Sequence, residues 1–156
     1  MWLLLVGGFT TGGWSQDTAS AGRDPRWSVR AIYGHTRLHP QDARTDWVDL
    51  RIGRTIRSPM TSIDFGIAGS GSRGGFTSVT SGFELRPLPR TRISPFVRAE
   101  IGVLGESDFG GVVGGVGTGL FLHLHSGLGF RIGAAANVHG LTRGPVTYYG
   151  GLEYRW

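Results

Sequence analysis

The chain has 156 residues, enough for one domain, with a net charge of +5 and a mean hydropathy of −0.06. It has no cysteine, which excludes a disulfide framework and any thiolate metal site. All 16 basic residues are arginine, spread singly rather than interleaved with aromatics in a basic cluster, so the positive charge does not point to nucleic acid.

No run approaches the roughly 18 apolar residues of a spanning helix. The 28 glycines are scattered through apolar alternation with no collagen repeat. A chain of this kind can still be integral if it spans as a closed barrel, because alternation dilutes its hydropathy. At the N-terminus, Trp2 to Val6 is a short apolar stretch and Ala19-Ser20-Ala21 matches a small-residue cleavage site. Residues 1–21 therefore read as a signal or leader segment and 22–156 as the folded domain, although no Lys or Arg precedes Arg23.

From Arg26 onward the chain divides into eight segments of about ten to thirteen residues with period-two alternation. Trp27 to Leu38 sets Trp27, Val29, Ala31 and Tyr33 on one face, and His39-Pro40-Gln41-Asp42 turns the chain. Thr45 to Arg57 sets Val48, Leu50, Ile52 and Ile56 against Trp47, Asp49, Arg51, Gly53, Thr55 and Arg57. Met60 to Gly69 sets Ile63, Phe65 and Ile67 against Asp64, Gly66 and Ala68. After a Gly/Ser loop, Phe76 to Arg86 sets Val79, Phe83 and Leu85 against Thr80, Gly82, Glu84 and Arg86, and Pro87-Leu88-Pro89 breaks the strand.

Arg92 to Leu104 sets Val97, Ala99, Ile101 and Val103 against Phe96, Arg98, Glu100 and Gly102. Gly111 to His125 sets Val116, Thr118, Leu120, Leu122 and Leu124 against Gly117, Gly119, Phe121, His123 and His125, and Ser126-Gly127 is a two-residue hairpin signal. Leu128 to His139 sets Leu128, Phe130 and Ile132 against Gly129, Arg131 and Asn137, and Gly140 to Gly144 reads as a turn. The last strand sets Val146, Tyr148, Leu152, Tyr154 and Trp156 against Thr147, Tyr149, Glu153 and Arg155.

One face is apolar and aromatic and the other charged, which suits lipid outside and a polar lumen inside. The fold expected is all-β: an eight-stranded antiparallel up-and-down transmembrane barrel, with both ends of the domain on the periplasmic side. Asp49, Arg51, Asp64, Glu84, Arg86, Arg98, Glu100, Arg131, Glu153 and Arg155 then form a lumen charge network, joined by Asn137. A barrel of eight strands has an interior just wide enough for side chains to fill, so arginine–carboxylate pairs would plug it. Arg54 falls on the lipid face, a misfit that a rim position or a bulge would accommodate. His123 and His125 share a face but lack a nearby third ligand, and no metal or cofactor is expected.

The terminal Tyr-Gly-Gly-Leu-Glu-Tyr-Arg-Trp resembles the C-terminal strand of bacterial outer-membrane barrels, which implies that Tyr154 and Trp156 are read by the barrel-assembly machinery. With Ile93 to Gly102 and the Gly-rich Gly115 to Leu120, residues 22–156 resemble the small OmpA/OmpX-like outer-membrane barrels. That resemblance implies a monomer in the outer membrane of a Gram-negative-type bacterium, in contact with its lipid. Its role would be structural or surface-interacting rather than enzymatic. Two alternatives stand beside it. One is a soluble or secreted barrel holding a small apolar ligand, with a polar outside. The other is a lipid-modifying barrel such as a lipid A deacylase. There, His125-Ser126 departs from the family pattern in spacing and in its place at a periplasmic turn.

Overall fold

The computed structural model describes residues 26–38, 43–56, 60–71, 76–106, 109–139 and 142–156. The leader expected at 1–21 lies outside the described residues, as do the turn at 39–42 and residues 72–75 of the Gly/Ser loop. Eight strands are present: β1 Trp27–Leu38, β2 Ala43–Thr55, β3 Thr61–Gly69, β4 Phe76–Leu85, β5 Ile93–Glu106, β6 Phe109–His125, β7 Leu128–His139 and β8 Thr142–Arg155. Each pairs antiparallel with its sequence neighbour, and β8 closes on β1. Closure satisfies every strand edge, the condition for a sheet to survive in hydrocarbon.

Closure is completed at the terminal residues. Trp156 N donates to Trp27 O, and Trp27 N donates back to Trp156 O, both at 3.1 Å. Between β6 and β7 the chain reverses through Ser126 and Gly127, with φ of 40° and 88°. Two consecutive positive φ values match the hairpin turn whose twist suits its strands.

Period-two alternation sorts the two faces as the sequence implies. Outward residues are apolar and exposed along every strand, Ile101 at 64% and Phe65 at 59% among them, whereas Arg30, Asp64, Glu84, Arg131 and Glu153 are buried inside. This is the inverse of a water-soluble barrel, whose exterior would be polar. On β2 the outward series runs Asp46, Val48, Leu50, Ile52, Arg54, so charged residues bracket the apolar band. Eight residues extend roughly 27 Å along a strand, or about 20 Å along the axis at a 40° tilt, near the height of a barrel's lipid-facing belt. Arg54 marks one border of that band. It stays outward without a register shift in β2, its guanidinium 5.4 Å from the centre of the Trp27 ring.

Several boundaries differ from those expected. β2 starts at Ala43 and stops at Thr55, and β5 and β6 extend to Glu106 and back to Phe109, because cross-strand pairing carries them past the apolar alternation. The expected turn at Gly140 to Gly144 is shorter, and β8 begins at Thr142. Pairing with β7 jumps from Val146↔Ala136 to Arg143↔Val138, so Gly144 and Pro145 lie in a bulge rather than a turn. Proline has no N–H to give a ladder and is tolerated at such bulges. A second bulge falls where pairing passes from His123↔Gly129 to His125↔Leu128. His123 packs edge-on against Phe121, ring centres 4.6 Å apart, while His125 is exposed, so the two do not form a shared face.

The glycines have a steric role. Gly34, Gly66, Gly119 and Gly133 are paired directly with Trp47, Arg51, Phe96 and Tyr149 on the next strand. A Cβ built on any of the four would come within 3.0 Å of that partner's side chain. Large inward side chains thus lie flat over glycines, which is how a narrow lumen accommodates them.

Candidate functional site: the barrel lumen

Alternation points a charged residue inward from seven of the strands, β6 excepted, and antiparallel pairing brings these residues to neighbouring levels. Among the described residues, six arginines (Arg30, Arg51, Arg86, Arg98, Arg131, Arg155) meet five carboxylates (Asp49, Asp64, Glu84, Glu100, Glu153) in one connected network. Glu84 takes Arg131 at 2.7 Å, Arg86 at 2.6 Å and Arg30 at 3.2 Å. Glu153 takes Arg86 at 2.7 Å, Arg30 at 3.0 Å, Arg131 at 3.3 Å and Arg155 at 2.5 Å. Asp64 joins Arg30 at 2.8 Å, Arg51 at 3.0 Å and Arg98. Arg51 continues to Asp49 and to Glu100 at 2.8 Å, and Arg98 reaches Glu100 at 3.2 Å.

Desolvating a single charge costs several kcal/mol, and the network offsets this by giving each carboxylate two or more guanidinium partners, Asp49 excepted. Two phenylalanines complete it. Arg131 lies 4.4 Å above the Phe96 ring, and Arg86 and Arg155 lie 4.3 Å and 5.1 Å from the centre of Phe121. Both rings are essentially inaccessible to solvent. Charges and rings together fill the half of the lumen nearer Trp27 and Trp156.

The other half, nearer the connections after β1, β3, β5 and β7, contains a cavity of about 240 Å³. About half of its walls are small or hydroxylated inward residues, such as Ala68, Ser78, Thr80, Ala135 and Thr147, and Trp47, Phe76 and Tyr149 are among the larger ones. Asp49, Arg98, Glu100 and Arg131 border it from the network. Trp47 Nε1 donates to Thr36 Oγ1 at 3.0 Å, and Asn137 Nδ2 donates to Thr147 Oγ1 at 2.8 Å.

The ten charged residues expected in the lumen therefore all face inward and lie in one network. Arg30 was not among those expected, yet at 1% exposure it is one of the most buried, and it touches Asp64, Glu84 and Glu153. Period two would have found it, since it alternates with Val29 and Ala31. Tyr154 and Trp156, the expected assembly signal, stand side by side on the outer surface, rings stacked at 5.9 Å. His125 and Ser126 sit at the β6–β7 turn on that same end, away from the cavity.

Neither a family model nor a curated protein matches the chain. Solved structures do. Neisserial surface protein A is 11% identical with a TM-score of 0.69, covering 83% of this chain and 97% of its own. The N-terminal β-barrel domain of Pseudomonas aeruginosa OprF is 14% identical with a TM-score of 0.64, over 83% and 97%. The outer membrane enzyme PagL is 17% identical with a TM-score of 0.53, over 81% and 98%. At such identities the likeness speaks to the fold, and one fold here serves a surface protein, a domain and an enzyme. Apolar exterior, ion-paired lumen and closed antiparallel topology converge with these likenesses: the chain has the fold of the small eight-stranded outer-membrane β-barrels.

Proposed function

We propose that the protein is an integral, non-enzymatic outer-membrane barrel of a Gram-negative-type bacterium, monomeric in outer-membrane lipid, with a structural or surface-interaction role. The observation that carries this reading is the inversion of polarity: an apolar band bracketed by Asp46 and Arg54 outside, and eleven mutually paired charges inside. Such a network acts as a plug, because an ion crossing the lumen would have to separate Arg30, Arg86 and Arg131 from Glu84 and Glu153. Tyr154 and Trp156, stacked on the closing strand, serve as the contact for the barrel-assembly machinery.

The full chain, refolded from denaturant, is expected to show strand circular dichroism and heat-dependent gel mobility in detergent micelles. In plain buffer it is expected to show neither. Reconstituted in a planar bilayer, it is expected to give no steady conductance. A stable monomeric β-protein in plain buffer would overturn the membrane reading, and an ohmic channel would overturn the plug.

A further inference from the structure

We propose that the rim of the barrel at the Trp27 and Trp156 end binds the headgroups of anionic phospholipids through the exposed guanidinium groups of Arg54, Arg90 and Arg92. This rests on the membrane reading above, under which that end faces the periplasm and the lipids are those of the inner leaflet.

Charge is divided unequally between the two ends of the barrel. The connections after β1, β3, β5 and β7, residues 39–42, 70–75, 107–108 and 140–141, hold in sequence one arginine, Arg73, against Asp42 and Asp108. The connections after β2, β4 and β6, residues 56–60, 86–92 and 126–127, hold Arg57, Arg86, Arg90 and Arg92 and no acid. Arg86 turns inward to the plug, but Arg90 and Arg92 are exposed, as are Arg26 and Arg54 at the feet of β1 and β2. The acids of this half, Asp64, Glu84 and Glu153, have side chains fully buried among the arginines of the plug. Among the described residues the rim therefore presents four exposed arginines and no exposed aspartate or glutamate. A carboxylate on Trp156 would offset one of those charges.

Position selects lipid over a partner in solution. Arg54 points outward where the apolar series of β2 ends at Ile52, and its guanidinium lies 5.4 Å from the centre of the Trp27 ring. Trp27, Tyr154 and Trp156 are exposed at the same end, and amphipathic rings of this kind sit at headgroup level. On β5, Arg92 directly precedes Ile93, which is exposed on the outer face, and Arg90 follows the exposed Leu88 by two residues. A soluble partner would have to enter the headgroup layer to reach these groups. β2 and β5 stand three strands apart in a closed barrel of eight, so the contact is with several headgroups around the circumference. The planar fork of a guanidinium matches two oxygens of a phosphate, and a basic group beside an anionic lipid surface is attracted to its net charge, which a zwitterionic surface lacks.

The test uses the full chain folded into phosphatidylcholine vesicles, with spin-labelled phosphatidylglycerol and spin-labelled phosphatidylcholine compared by electron spin resonance. Phosphatidylglycerol is expected to associate about fivefold more strongly, or better, which is the effect of one basic group at an anionic surface. Raising the salt concentration is expected to weaken that preference. The triple variant Arg54→Gln, Arg90→Gln, Arg92→Gln is expected to bring the two probes within about twofold of each other. A control removes as many arginines from the strand ends at the opposite rim, Arg37→Gln, Arg44→Gln and Arg143→Gln, and is expected to keep the preference. Heat-dependent gel mobility reads the membrane proposal separately: a chain that does not fold in the vesicles overturns both. A barrel that folds but shows no preference, or a salt-independent one, overturns this proposal alone. So does an equal loss in the two triple variants, or no loss in the first.

Discussion

The two halves of the lumen are built on the same eight strands with the same alternation, yet one is filled and the other is not. In the half near Trp27 and Trp156, the inward positions carry Arg30, Glu84, Arg86, Phe96, Phe121, Arg131 and Glu153, all nearly inaccessible. In the other half Trp47, Phe76 and Tyr149 are interspersed with the smaller Ala68, Ser78, Thr80, Ala135 and Thr147, and a cavity results. The backbone of an eight-stranded barrel leaves space that just suits packed side chains; whether it is occupied depends on residue volume at the inward positions. Strand number alone does not decide whether such a barrel is a plug or a container.

Substitutions in the two halves should separate this contrast into energies. The largest effect is expected from Glu84→Ala, which strands Arg30, Arg86 and Arg131 around a missing partner and is expected to cost about 3–5 kcal/mol, read by urea unfolding in micelles. If Asn137→Ala in the cavity half cost as much, the contrast would be broken. Next is Gly119→Val, whose Cβ would press on Phe96 and on the β7 backbone; about 1–3 kcal/mol of destabilisation is expected by the same measurement. Asn137→Ala itself removes one hydrogen bond to Thr147 beside the cavity and is expected to cost about 1 kcal/mol. The smallest effect is expected at the border of the apolar band. Arg54→Leu, at the border of the apolar band beside Trp27, should change unfolding by less than about 0.5 kcal/mol, whereas Ile52→Arg within the band should cost about 2–4 kcal/mol.

Much of the barrel is legible from alternation alone, because period two assigns each side chain to lipid or lumen without knowledge of its neighbours. Ten of the eleven network charges could be placed that way; Arg30 obeys the same rule, but a lone arginine between Val29 and Ala31 is easily passed over. What alternation cannot supply is register. That Trp47 lies opposite Gly34, or Tyr149 opposite Gly133, depends on which residues pair across strands, and the steric use of the glycines follows only from that pairing. The bulges illustrate the same limit. Gly144 reads locally as the end of a turn, but the ladder on either side carries it, with Pro145, as an irregularity within β8. A single extra residue near Leu124 parts His123 from His125, which a strict two-residue period would have kept together. The cavity, lined by residues drawn from all eight strands, has no local signature at all.

The paired hydrogen bonds between Trp27 and Trp156 have a kinetic meaning. They join residues at opposite ends of the folded domain, and the β1–β8 seam that they finish is the longest-range pairing in the molecule. A sheet whose last seam joins its first strand to its eighth has no stable half-built form in lipid, since any intermediate presents two bare edges to hydrocarbon. Insertion and closure are thereby coupled, and the barrel's completion hangs on a rare encounter between the first strand and the last.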